Sequence, residues 1–113
     1  MAVTSTNTRA TFGLVVRFTL RPGSEAAFDD LTAATVEEVR RHEPGTLLYL
    51  CHEVDGAPSE RIFYELYRDR AAFNAHEEQP HVRHFLAERA RYLDRTDVDF
   101  LSPTVLAGLG GGQ

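Results

Sequence analysis

From Phe12 to Leu20 the chain alternates strictly. Phe12, Leu14, Val16, Phe18 and Leu20 fall on one side and Gly13, Val15, Arg17 and Thr19 on the other. This is the two-residue period of a β-strand, with apolar residues on both faces. Arg21-Pro22-Gly23 ends it, and Ser24 is placed to cap a helix. The buried stripe of that helix reads Phe28, Leu31, Thr35 and Val39, with Glu25, Asp29, Asp30, Glu37 and Arg41 facing water. Pro44-Gly45 stops the helix and turns the chain. A second strand, Thr46 to Val54, carries Leu47, Tyr49 and Cys51 on one face and Leu48, Leu50 and His52 on the other. Asp55-Gly56 with Pro58 reads as a hairpin loop into a third strand, where Ile62, Phe63, Tyr64, Leu66 and Tyr67 are interrupted by a single charge, Glu65. Asp69 then caps a helix in which Ala72, Phe73 and His76 recur at helical spacing. Pro80 closes that helix and opens another with Val82, Phe85 and Leu86 on one side. A fourth strand is expected from Asp97 to Val105, with Pro103 suiting an edge or an end.

The order β-α-β-β-α-α-β predicts a four-stranded antiparallel sheet with helices on one face, the ferredoxin-like α+β plan. One domain over residues 11–106 is expected, between a flexible Thr/Ser/Asn-rich tail at 1–10 and a flexible Gly-rich tail at 107–113. The plan leaves one sheet face without helices, yet the first three strands are apolar on both faces. A chain of 113 residues hides only roughly two thirds of its unfolded surface by itself, so a second copy is the simplest cover and a homodimer is expected.

Composition removes several classes of function. The formal net charge is −5, and the 12 basic residues, all arginine, are scattered rather than striped. Neither nucleic acid nor an anionic membrane surface is an expected partner. No apolar run approaches the ~20 residues of a membrane span, and the polar first residues lack the apolar core of a signal peptide. Cys51 is the single cysteine and cannot form an internal disulfide, which points to a reducing, cytoplasmic setting. Without lysine, Schiff-base chemistry is excluded.

The candidate chemistry gathers between the third strand and the two short helices. His76 follows Phe73 by three residues on the helix face expected to look onto the sheet, and is the best candidate base. The structural alternative is a histidine bonding a backbone carbonyl near Pro80. Glu65 and Tyr67 alternate with Phe63 on one strand face, so a carboxylate and a phenol share a site with Tyr49 and Cys51; Glu65 can orient His76. The alternative for Glu65 is an ion pair with Arg17. His81, His84 and Glu88 share one side of the last helix, but no second cluster completes a metal site. Cys51 has no basic neighbour in sequence to activate it and reads as a strand residue.

Tyr64-Glu65-x-Tyr67-x-Asp69, Ala72 and the run Ala75-His76-x-x-x-Pro80-His81, with the turn Glu43-Pro44-Gly45, resemble the antibiotic biosynthesis monooxygenase family, including its small quinol monooxygenases. The resemblance spans roughly Phe12 to Val105. It implies a dimeric α+β barrel and a cofactor-independent monooxygenase that joins dioxygen to a quinol, phenol or polycyclic aromatic. In such a site His76 would be the general base, Glu65 its support and Tyr67 a donor to the substrate oxygen, with Phe63, Phe73, Tyr49, Leu47 and Cys51 as walls. Tyr67 stands where the family usually has Trp, as in its isomerase branch. The positions that hold haem in haem-degrading members look like Val16 and Leu86, so neither haem nor a metal is expected. Two rivals remain. One is an isomerase or cyclase using His76 and Glu65 for proton transfer; the other is a non-catalytic binding protein, favoured by Phe63 and Phe73 at positions that are polar in an oxygenating relative.

Overall fold

Strand β1 (Phe12–Leu20) is followed by helix α1 (Glu25–His42), strands β2 (Thr46–Val54) and β3 (Ala57–Tyr67), helices α2 (Arg70–Glu78) and α3 (Pro80–Arg89), and strand β4 (Leu93–Leu101). These come from a computed structural model that describes residues 11–108; the tail expected at 1–10, and residues 109–113 of the other, lie outside the described residues. The sheet order is β2-β3-β1-β4 and every neighbouring pair is antiparallel. With all three helices accounted for, the architecture is the ferredoxin-like α+β plan.

The two-sided apolarity of β1 explains its central place. Leu14, Val16, Phe18 and Leu20 are buried against the helices. Phe18 packs 5.3 Å from Phe28 of α1 and 4.8 Å, edge to face, from Phe63 of β3. Such aromatic contacts add about 0.5–1.5 kcal/mol each beyond area burial. The buried stripe of α1 is Phe28, Thr32, Thr35 and Val39, so Thr32 takes the place expected for Leu31, which packs at the margin of the core. Ser24 precedes α1 but makes no side-chain cap, because its own backbone is already helical and its hydroxyl is not placed over the first turn. At α2 the expectation holds: Asp69 is extended and its carboxylate accepts the Ala72 N–H at 2.8 Å. Pro80 occupies the first turn of α3.

The fourth strand lies earlier than expected, at Leu93–Leu101 rather than 97–105. It is an edge strand, paired to β1 with Leu20 opposite Leu93, Val16 opposite Val98 and Leu14 opposite Phe100. Its sequence LDRTDVDFL is largely polar and exposed, and backbone bonds to one neighbour define it more than side-chain pattern does. Pro103, which has no N–H to donate, falls beyond its end.

On the helix-free face Val15, Leu48, Ile62 and Tyr64 are half-buried and Leu50 is 45% exposed. The α1–β2 turn presses directly on α2. A Cβ placed on Gly45 would lie 2.7 Å from the Ala72 Cβ, and the Gly45 carbonyl accepts the Arg68 N–H at 2.9 Å. Gly45→Ala is therefore expected to destabilise the fold by about 1–3 kcal/mol through overpacking, seen as a lower denaturant midpoint at unchanged slope. An unchanged midpoint would mean that the turn does not hold α2 in place.

Candidate functional site

Between the helix-facing side of the sheet and helices α2 and α3 lies a cavity of about 190 Å³. The strand period brings Phe63 and Glu65 of β3, Leu14 and Val16 of β1, Tyr49 of β2, and Val98 and Phe100 of β4 to it. From the helices come Phe73, His76 and Glu77 of α2 and Val82, Phe85, Leu86 and Arg89 of α3. The walls are apolar and largely aromatic, with a few polar groups converging on them, the usual make-up of a small-molecule site.

His76 is held by Glu43, the residue that ends α1. Its Nδ1 lies 2.7 Å from Glu43 Oε1, and both side chains are buried. The same carboxylate accepts from the Thr46 hydroxyl at 2.7 Å and from His81 Nε2 at 2.5 Å. Burial pushes the Glu43 carboxyl up, but the hydrogen bonds from His76, Thr46 and His81 outweigh it and hold the group below its ordinary value. An ionised carboxylate only accepts, so the Nδ1 of His76 carries a proton and donates it to Glu43, and in the neutral imidazole the lone pair then belongs to Nε2. That nitrogen faces Glu65, whose Oε1 lies 3.9 Å away, beyond hydrogen-bonding distance.

Glu65 is buried, and the loss of solvent raises its pKa despite a bond from the Tyr67 hydroxyl at 2.6 Å. Tyr67 itself is fully buried. Its pKa is pushed well up by burial and by the neighbouring Glu65 charge, so it stays a phenol that donates to Glu65. Tyr49 is raised by burial in the same way, with its ring 5.5 Å from that of His76. Burial pushes the Cys51 thiol up to about 12, which leaves it protonated and unreactive at neutral pH.

Five of the eight residues expected at the site line this cavity: His76, Glu65, Phe63, Phe73 and Tyr49. Three do not. Tyr67 is outside the cavity lining, and its hydroxyl donates to Glu65 Oε1 at 2.6 Å. Leu47 lies in a separate groove with Val36, Val39 and Leu48, and Cys51 sits further along β2 beside Asp29 and Arg61. Glu65 is not paired with Arg17, which reaches Glu60 instead; the two point to opposite faces of the sheet. Nor does His76 bond a carbonyl near Pro80. Its partner is Glu43, a residue quoted above only for its turn and not as part of the site. His81 is turned onto Glu43, and among the described residues no group of three His, Cys, Asp or Glu side chains is placed to hold a metal ion. Val16 and Leu86 both line the cavity.

The fold and the site define a ferredoxin-like α+β protein with an aromatic cavity and a carboxylate-oriented histidine in its wall. Residues 11–88 match the family described as antibiotic biosynthesis monooxygenase, and the chain belongs to that family. Among solved structures it is similar to Rv0793 of Mycobacterium tuberculosis, with 28% identity, a TM-score of 0.79, and coverage of 87% of this chain and 99% of that one. It is also similar to PA3566 of Pseudomonas aeruginosa, at 24% identity and a TM-score of 0.78, covering 88% and 99% of the two chains. A Nitrosomonas europaea protein provisionally named an antibiotic biosynthesis monooxygenase shares the fold, at 20% identity, a TM-score of 0.80 and coverage of 88% and 95%. No curated protein matches the sequence. Among the described residues no helix is long and apolar enough to cross a membrane.

Proposed function

We propose that the protein is a cofactor-independent monooxygenase of a quinol or phenol, with His76 as general base. The observation that carries this reading is the Glu43–His76 bond of 2.7 Å at the wall of an aromatic cavity: a carboxylate on Nδ1 fixes the tautomer and leaves Nε2 as the proton acceptor. In the reaction His76 Nε2 takes the hydroxyl proton of the bound phenol. The phenolate passes one electron to dioxygen, and the resulting radical and superoxide join in a carbon–oxygen bond. The hydroperoxide then breaks its O–O bond, leaving a carbonyl on the ring. One oxygen atom stays in the product; the other leaves as water with the hydroxyl proton and the hydrogen of the reacting carbon. The substrate supplies all the electrons, so the step calls for no separate reductant. The test is an oxygen-electrode screen of hydroquinones and naphthols. Enzyme-dependent uptake of one dioxygen per quinone formed is expected, and absence of uptake across the panel would reject the reading.

A second reading, an isomerase or cyclase, is favoured by the neighbouring Glu65. Its raised pKa and its Oε1, 3.9 Å from His76 Nε2, pair a proton donor with an acceptor on one wall. Such an enzyme would convert its substrate without consuming oxygen.

The protein is further proposed to act as a homodimer joined through the helix-free sheet face. The apolar residues left there, with Leu50 at 45% exposure, supply the reason. Light scattering at micromolar concentration is expected to give twice the chain mass, and Leu50→Glu to shift it toward the single mass. A stable monomer would contradict this.

A further inference from the structure

Two arginines in the described chain are withdrawn from solvent, and they are treated differently. Arg61 is clamped by Asp29 through two bonds of 2.8 and 2.9 Å and also donates to the carbonyls of Pro58 and Glu60. Arg89, the last residue of α3, has no such clamp. Its guanidinium carbon lies 5.3 Å from the Phe18 ring and 5.7 Å from the Phe85 ring, and the side chain lines the cavity. Burial lowers its pKa, with the neighbouring carboxylates Glu65 and Glu77 pulling it back, but neither of these groups bonds to it. A partly desolvated guanidinium with five donors and no carboxylate partner is costly unless something else satisfies it. Two aromatic rings within cation–π distance hold the guanidinium beside the cavity, and its planar fork suits bidentate recognition of a planar anion.

We infer that Arg89 anchors an anionic group of the ligand, and that the ligand is a one- or two-ring aromatic acid whose ring lies against Phe63, Phe85 and Phe100. This rests on the reading that the cavity is the substrate site. Size sets the ring count. An apolar cavity of about 150 Å³ holds benzene, and drug-sized ligands occupy about 300–1,000 Å³. The volume of about 190 Å³ here encloses one ring and part of a second. The carboxylates set the position of the anion: Glu65 is engaged by Tyr67 and Glu77 is exposed at the rim, so the open cationic donors are those of Arg89.

The test is binding without oxygen, so that no turnover enters. 1-Hydroxy-2-naphthoate and its methyl ester are titrated by fluorescence at neutral pH into the parent protein, Arg89→Gln and Arg89→Lys. The parent is expected to prefer the acid by about 10- to 100-fold, the span of charge-assisted hydrogen bonds. Arg89→Gln should lose that preference with ester binding little changed, and Arg89→Lys should keep part of it. The inference is overturned if the parent binds neither compound or does not distinguish them, or if the preference survives in Arg89→Gln. Should Arg89→Gln not fold, the parent and Arg89→Lys decide. Anthracene-2-carboxylate binding as tightly as the naphthoate would overturn the size limit. Acid preference without oxygen uptake would sink the oxygenase reading alone; uptake without acid preference would sink only the role given to Arg89.

Discussion

Replacing His76 by alanine is expected to lower turnover about 10²- to 10⁴-fold, the range for loss of a general base, or about 3–5 kcal/mol in the barrier. Affinity should change much less, because Phe63, Phe73, Phe85 and Phe100 still line the cavity. The variant also takes a donor from Glu43, so a stability loss will accompany the rate loss, and the two must be separated. Added imidazole recovers part of the rate if the missing group is a base, and leaves it unchanged if His76 only braces the fold. A variant with full rate and a lower melting temperature would make His76 structural and move the base to Glu65 or to the substrate.

Removal of the carboxylate behind His76 has the largest expected effect on stability. Glu43→Ala leaves His76, His81 and Thr46 without their acceptor, and breaking a buried pair of this kind costs about 3–5 kcal/mol. Glu43→Gln keeps the shape but offers one acceptor where two are used, and is expected to cost about 1–3 kcal/mol. The pH dependence has a definite sign. Glu43 is held below its ordinary value of 4.5 in the folded protein, so its contribution is full above pH 4.5 and is lost as pH falls through the lower folded value. Glu65 runs the other way. Its folded pKa is raised, so its contribution is present below 4.5 and is lost as pH rises through the folded value. Urea denaturation of the parent and Glu43→Gln over this range should show the stability gap closing on the acid side. A gap that does not change with pH would mean that Glu43 is not ionised in the folded protein.

Much of this architecture was legible in local pattern. The strict alternation of β1 identifies a strand that buries Leu14, Val16, Phe18 and Leu20 on one face, and Asp69 and Pro80 mark where α2 and α3 begin, because capping and proline geometry are local effects. β4 was displaced by four residues because an exposed edge strand need not carry an apolar alternation; its register comes from β1. The Glu43–His76 bond joins residues 33 apart, across the turn where Gly45 comes close to Ala72, which no local pattern reports. One signal was present: Glu43 is an acid at a helix C-terminus, where the dipole disfavours negative charge, so it needed a compensating set of donors. The shared face of Glu65 and Tyr67 follows from the strand period. That the phenol turns to Glu65 rather than to the cavity follows from the packing of Phe73 and His76 around its ring, at 5.3 and 5.1 Å.

The central claim, that this cavity prepares an aromatic anion for direct reaction with dioxygen, is tested most directly with ¹⁸O₂. With a hydroquinone or naphthol that supports oxygen uptake, the quinone should gain one labelled atom and the water formed should carry the other. His76→Ala should lower the rate of incorporation without changing that ratio. A product that gains no label, or that forms at the same rate without oxygen, would contradict the account and assign the Glu43–His76 pair to proton transfer alone.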